Sequence, residues 1–270
     1  MSVKGKWALV TGASAGIGEA FAAALSSRGA NLILTARRVE RLDALAAALR
    51  AAHGVETLVI AADLAQAGAP EKIAAAIKAA GKPVDILVNN AGYGQPGHFE
   101  EVGWATHRDF IELMMTSYAH LVHLFLPGMQ ARGFGRIINV ASVAGLVPGA
   151  AGHTLYGAVK AFLVSFSQSL AAENIDKGVN VSALCPGFTF SEFHDVNNTR
   201  SLVSALPRYM FMEARPVAEQ ALGAVERGHV VFVPGLWNKF VVWLMKALPR
   251  PWAAKMVLQQ SQKFRLRVED

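Results

Sequence analysis

Short apolar runs alternate along the chain with longer stretches in which apolar residues recur every three to four positions. Trp7–Thr11, Asn31–Ala36, Glu56–Ala61, Ile86–Asn89, Gly135–Val140 and Asn180–Cys185 predict strands, with a weaker one at Val230–Val233. Helices are predicted near 16–28, 38–52, 70–80, 104–131, 154–177 and 216–227. Strands that read as near-continuous apolar runs suit a parallel sheet covered on both faces. Regular alternation of the two element types implies right-handed crossovers and an α/β, doubly wound sheet.

Residues 191–215 interrupt the alternation with Ser191, Asn197, Asn198, Thr199, Ser201 and Pro207 among Phe193, Tyr209, Met210 and Phe211. The segment reads either as a lid over a binding site or as a surface insertion. Neither an internal repeat nor a linker divides the chain. One domain is expected over residues 1–235, followed by a basic, Trp-rich helical extension over 236–270.

At 270 residues, with 53% apolar and 17% charged types, the chain can bury a large core, which excludes disorder. A single cysteine, Cys185, excludes an internal disulfide and suits a reducing, cytoplasmic setting. The first residues lack the apolar core of a signal peptide, so none is expected. Asn238, Lys239 and Lys246 interrupt the longest apolar stretch, residues 230–248, which disfavours a spanning helix but leaves an interfacial one open. The net charge is +6, but residues from His229 onward hold seven Lys or Arg against Glu269 and Asp270. The preceding body is almost neutral. The charge is therefore a property of the tail and does not indicate nucleic-acid binding.

Thr11-Gly12-Ala13-Ser14-Ala15-Gly16-Ile17-Gly18 leaves the first strand and opens the first helix. Gly12 permits a tight turn, Gly16 lets the backbone approach a pyrophosphate, and Gly18 allows close helix–strand packing. The helix N-terminus then faces the phosphates. A plain βα turn looks alike in isolation; its place in a chain-long alternation favours a Rossmann-type dinucleotide site. The second strand ends on Arg37 and Arg38, where an NAD site would want an acidic residue. Two guanidinium groups there favour a 2′-phosphate, hence NADP(H). Asp63, followed by Leu64, would accept from an adenine amino group or cap the next helix. Asn89-Asn90-Ala91-Gly92 follows the fourth strand, where its asparagines would tie loop backbone together.

Ser142 ends a buried strand, and Tyr156 and Lys160 follow on a helix with i, i+4 spacing that puts them on one face. A nearby ammonium is expected to lower the Tyr156 pKa from its usual value near ~10. Such a tyrosine would exchange a proton with a carbonyl or alcohol oxygen, and Ser142 would hold that oxygen. On a random helix the pair would be ordinary surface; its conjunction with the phosphate turn carries the reading.

Together with Cys185-Pro186-Gly187, these motifs make residues from about Lys4 to Val233 resemble the short-chain dehydrogenase/reductase family, and Thr35-Ala36-Arg37-Arg38 is similar to its NADP-preferring members. The resemblance implies hydride transfer between nicotinamide and a carbonyl or alcohol carbon. Tyr156 would be the acid/base, Ser142 the partner of the substrate oxygen, and Lys160 the cofactor-ribose group. The Pro186-Gly187 turn would flank the nicotinamide, with Thr189 and Ser191 touching carboxamide or phosphates. It also implies a homodimer or homotetramer paired through the fourth and Tyr156-bearing helices. Two positions depart. Met114 stands where the family usually has a catalytic asparagine, and a thioether cannot anchor its water. The Ser142–Tyr156 interval is one residue longer.

No residue spacing suggests a metal. Tyr93, Phe99, Phe188, Phe190, Phe193, Met210 and Phe211 fall near strand C-termini and suggest an apolar pocket, or ordinary core. In the tail, Leu236, Trp237, Phe240, Val241, Trp243, Leu244 and Leu248 recur near helical spacing beside Lys239 and Lys246. Across 236–258 that pattern suits a membrane surface or packing on the protein itself. Read as a whole, the sequence predicts an NADP(H)-dependent oxidoreductase acting on a hydrophobic ketone or secondary alcohol. The alternative is a cofactor-binding regulatory or scaffold protein with weak catalysis, motivated by Met114.

Overall fold

The structure is a computed structural model that describes residues 3–190 and 207–265, with side chains through Gln259. The strands are β1 (Trp7–Thr11), β2 (Asn31–Ala36), β3 (Thr57–Ala61), β4 (Ile86–Asn89), β5 (Gly135–Val140), β6 (Val179–Leu184), β7 (Thr189–Phe190), β8 (Met212–Glu213) and β9 (Val231–Phe232). Seven form one sheet in the order β3-β2-β1-β4-β5-β6-β9, and every pairing in it is parallel. The helices are α1 (Gly16–Ser26), α2 (Val39–His53), α3 (Ala69–Ala79), α4 (Trp104–Ile111), α5 (Ser117–Ala131), α6 (Thr154–Glu173), α7 (Ala214–Glu226), α8 (Leu236–Ala247) and α9 (Arg250–Arg265).

Side-chain alternation on β1 builds the two layers. Ala8 and Val10 pack with Phe21, Leu25, Leu42 and Leu222 of α1, α2 and α7. Trp7 and Leu9 face Ile73, Phe110, Leu121 and Val159 of the helices on the other side. The central strands β1, β4 and β5 are buried at every position, which is why they read as mostly apolar runs. Full burial of a side chain such as Phe21 or Phe110 contributes roughly 1.5–3 kcal/mol relative to exposure.

Successive strands are added to one side of β1 up to β3 and to its other side from β4 onward, and such switch points form the crevice where ligands of doubly wound sheets bind. The predicted elements lie within one to four residues of those observed, except in two places. The single helix expected over 104–131 is α4 and α5 joined by a π turn at Glu112–Thr116. In the tail, Leu248 and Pro249 end one helix, and Pro251 sits in the first turn of the next, where its missing N–H does no harm.

The segment expected as a lid falls largely on 191–206, outside the described residues, as does Ser191. Its neighbours are fixed: β7 pairs with β8 in parallel, and Phe190 stacks on Phe211 at 4.7 Å. Among the described residues no helix is long and apolar enough to cross a membrane, and no metal-ligating cluster occurs.

Candidate active site

One cavity of about 870 Å³ opens at the C-terminal ends of β1, β4, β5 and β6. The first βα turn forms one wall. Gly12 and Gly16 hold φ of +64° and +59°, a region that disfavours side chains. A Cβ on Gly12 would lie 2.8 Å from the Ala91 Cα, and one on Gly18 would lie 2.3 Å from the Gly12 oxygen. Gly18 therefore packs the helix against the turn and does not line the cavity. Ser14, Ala15, Gly16 and Ile17 do line it. The N-cap of α1, Ala15, makes no side-chain cap, so the first amides of the helix have no cap acceptor.

The β1 and β4 turns are tied together. Thr11 Oγ1 accepts from the backbone N–H of Asn90 at 2.8 Å and of Ala91 at 3.0 Å. Asn90 Nδ2 returns a bond to the Thr11 oxygen at 2.9 Å. Behind them runs a buried polar chain. Asn89 Nδ2 donates to Asn139 Oδ1 at 3.0 Å, and Asn139 Nδ2 donates to Ser167 Oγ at 2.9 Å. Asn90, Ala91 and Gly92 all line the cavity.

At the far end, Arg37, Arg38, Asp63 and Leu64 line the same cavity. Arg38 Nη2 donates to Ser14 Oγ at 3.1 Å, bridging the β2 end to the glycine turn. Thr35 Oγ1 is buried there without a hydrogen-bond partner. Asp63 does not cap α3, which starts six residues later behind Gly68; its Oδ1 accepts the Ala65 N–H at 3.1 Å within a turn. Ser117 Oγ holds the Leu64 carbonyl at 2.7 Å.

Ser142, Tyr156 and Lys160 converge on the opposite wall. Ser142 follows β5, accepts the Ala144 N–H at 3.1 Å and approaches the Pro186 oxygen at 3.5 Å. In the loop between Ser142 and α6, Gly152 holds φ of +80° and its carbonyl accepts from Gly97 N at 3.1 Å. Pro186, Gly187 and Thr189 also line the cavity.

The electrostatics correct one expectation. Burial holds the Tyr156 phenol above its ordinary range, and a hydrogen bond with Ser142 is the influence pulling it down. Lys160 is itself buried and pushed down to about 7, against a smaller opposing pull from Cys185. Its Nζ donates to the Val140 oxygen at 2.7 Å and lies 5.6 Å from the Tyr156 ring centroid. Desolvation outweighs the Ser142 hydrogen bond on Tyr156 and the pull of Cys185 on Lys160, so the phenol keeps its proton near neutral pH.

Met114 is fully buried inside the π turn, and its Cε lies 3.1 Å from where a Gly92 Cβ would be. One turn further along, the buried Tyr118 donates its hydroxyl to the Ala91 oxygen at 2.9 Å. The loop that bears Asn90 thus has a polar tether to this helix that motif reading missed. Of the residues expected in an apolar pocket, Tyr93, Phe188 and Met210 line the cavity and Phe211 does not. Phe99 and Phe190 are exposed, and Phe193 lies outside the described residues. Trp237, Asn238 and Val241 of α8 and Val257 of α9 also line the cavity, although nothing in their local sequence marks them for it.

Comparison with known proteins agrees with this geometry. A very-long-chain 3-oxoacyl-CoA reductase of Anas platyrhynchos is 33% identical, with 97% of this chain and 82% of that protein covered. The structure of a short-chain dehydrogenase from Sphingobium yanoikuyae in complex with NADPH matches with a TM-score of 0.79 at 32% identity, covering 90% of this chain and 96% of that one. A short chain dehydrogenase/reductase from Burkholderia phymatum in complex with NAD matches with a TM-score of 0.78 at 28% identity, covering 90% and 94%. The family profile described as short chain dehydrogenase matches residues 6–201. The chain belongs to the short chain dehydrogenase family of oxidoreductases.

Proposed function

We propose that this protein is an NADP(H)-dependent reductase of hydrophobic ketones, or the reverse dehydrogenase of secondary alcohols. The observation that carries the reading is one cavity lined by the glycine turn and Arg37–Arg38 at one end and by Ser142, Tyr156 and Lys160 at the other. The residues fit a dinucleotide. The turn leaves room only for backbone, uncapped α1 amides face the cavity, and Thr35 Oγ1 lacks a partner at the arginine end. Arg37 and Arg38 would take a 2′-phosphate, Asp63 and Leu64 the adenine side, and Lys160 the nicotinamide ribose. Pro186, Gly187 and Thr189 would flank the nicotinamide, with Ser191 as a further proposed contact.

Bound there, the cofactor would supply hydride to the carbonyl carbon in reduction or take it from the alcohol carbon in oxidation. The remaining steps belong to the chain. The Ser142 hydroxyl donates to the substrate oxygen, and its long contact with Pro186 leaves it free to turn. Tyr156 Oη gives that oxygen its proton. A phenol held above its ordinary pKa is loaded with a proton at neutral pH, which suits reduction. Phe188, Met210, Trp237 and Val241 make the substrate end apolar, whereas Tyr93 stands near Arg37 and Asp63. Pairing through α5 and α6 into a homodimer or homotetramer is part of the same reading, with half-buried Phe125 on α5 and the stacked Phe162 and Phe166 on α6 available for it.

Oxidation of NADPH followed against a panel of aliphatic and aromatic ketones tests the proposal. Turnover should rise as the ketone gains apolar surface. No turnover with any ketone, together with none for the alcohols and NADP, would overturn it.

Met114 motivates a second reading, a regulatory or scaffold protein that binds cofactor but catalyses weakly. Tyr118 separates the two, since it tethers the Asn90 loop from the turn beyond Met114. Tyr118→Phe should lower kcat roughly five- to tenfold, the cost of one buried neutral hydrogen bond. Met114→Asn should restore that loss, yet change kcat less than about threefold in the parent chain if Tyr118 already supplies the tether. A large gain from Met114→Asn alone would favour the weak-catalyst reading.

A further inference from the structure

Helices α8 and α9 have two faces with opposite demands. On the inner face of α8, Asn238 and Val242 are buried, and Trp237 and Val241 wall the cavity. Asn238 Nδ2 donates to the Pro234 oxygen at 2.9 Å, and its Oδ1 lies so close to Gly187 that a Cβ there would meet it at 2.2 Å. On α9, Ala253 is buried and Val257 reaches the same cavity.

The outer face is apolar and exposed. Leu236, Phe240 and Trp243 fall at i, i+4 and i+7 on α8, with Leu236 85% and Trp243 61% exposed. Trp252, 68% exposed, and Met256 continue the surface on α9. Lys239, Lys246, Arg250 and Lys255 are exposed on the same two helices. From Leu236 to Val268 the sequence holds seven Lys or Arg and no acidic residue. A second copy would bring the same uncompensated charge to such a face. An anionic bilayer brings the complementary charge and an apolar layer for the tryptophans.

We propose that the outer face of α8 and α9 docks on an anionic lipid surface, and that apolar substrate reaches the cavity from that surface past the wall formed by the inner face. The docking stands on the surface alone. The entry route rests on the ketone-reductase reading.

The test uses the full chain, because truncation before Leu236 would remove Trp237, Asn238 and Val241 from the cavity wall. Co-sedimentation is measured with phosphatidylcholine vesicles and with phosphatidylcholine–phosphatidylglycerol vesicles. Binding should be stronger to the anionic vesicles and fall with salt. Lys239→Glu with Lys246→Glu should weaken it at least ~10-fold, since each lysine near an anionic surface contributes about a fivefold factor. Trp243→Ser with Trp252→Ser should weaken it by a similar factor. Equal soluble fractions with both vesicle types, or unaltered binding by the tryptophan variant, would overturn the docking. So would a drop in oligomer mass caused by that variant without vesicles, which would assign the face to a second copy.

The entry route is read from two ketones, one long-chain and carried in the vesicles, one short and water-soluble. The tryptophan variant should lose turnover of the first and keep that of the second. Equal change for both would overturn the route. If the parent chain reduces neither, the ketone-reductase reading and its route fail together, while sedimentation still decides the docking.

Discussion

Tyr156→Phe lowers kcat by about 10²–10⁴-fold while leaving NADPH affinity within about threefold. The phenol is a cavity hydroxyl hydrogen-bonded with Ser142 and carried on the same helix face as Lys160. Removal of its oxygen deletes the proton donor and leaves the ring, so α6 and the cavity wall keep their packing. General acid catalysis contributes a factor of this size, and cofactor binding through the glycine turn and the arginine pair does not depend on the phenol. Single-turnover kinetics at saturating NADPH, with fluorescence titration of the cofactor, separate the two effects. A rate within threefold of the parent would remove Tyr156 from the chemistry. Equal loss of rate and of NADPH affinity would reassign it to cofactor binding.

The double variant Arg37→Ala and Arg38→Ala should lower kcat/KM for NADPH roughly a hundredfold and alter that for NADH less than about threefold. Each guanidinium would make charge-assisted bonds to a 2′-phosphate that NADH lacks. Both side chains are exposed, so salt screens them and the loss should shrink as ionic strength rises. The single Arg38→Ala carries a further consequence, since Arg38 also bonds Ser14 in the glycine turn. A modest loss with both cofactors in that single variant would report the turn. Equal losses with both in the double variant would show that the pair serves the turn alone, and the preference for NADP(H) would fall. Structural relatives in complex with NADPH and with NAD make this measurement decisive for cofactor choice.

The sheet was legible because its central strands are buried on both faces, which forces mainly apolar residues along β1, β4 and β5, the buried exceptions Thr11, Asn89, Arg136 and Asn139 being hydrogen-bonded. The phosphate turn was legible because its backbone conformation and close contacts exclude side chains at Gly12 and Gly18, and only glycine records that in sequence. Two local features were not. The π turn at Glu112–Thr116 leaves the apolar periodicity nearly unchanged while rotating the residues after it. The expected depression of the Tyr156 pKa treated Lys160 as a neighbour in water. Once both are buried, loss of hydration raises the phenol despite its hydrogen bond with Ser142 and lowers the lysine despite Cys185, to about 7.

The sequence by itself determined the alternation, the family, and the side chains at strand ends available for chemistry, because those are set by local spacing and by residue types with few substitutes. Only the tertiary structure decided which of them share one cavity. It also decided that Tyr118 tethers the loop beside Met114, and that the tail supplies Trp237, Asn238, Val241 and Val257 to the cavity wall. Those contacts join residues far apart in the chain, and the free energy that selects them comes from burial between elements. Local periodicity carries no record of it.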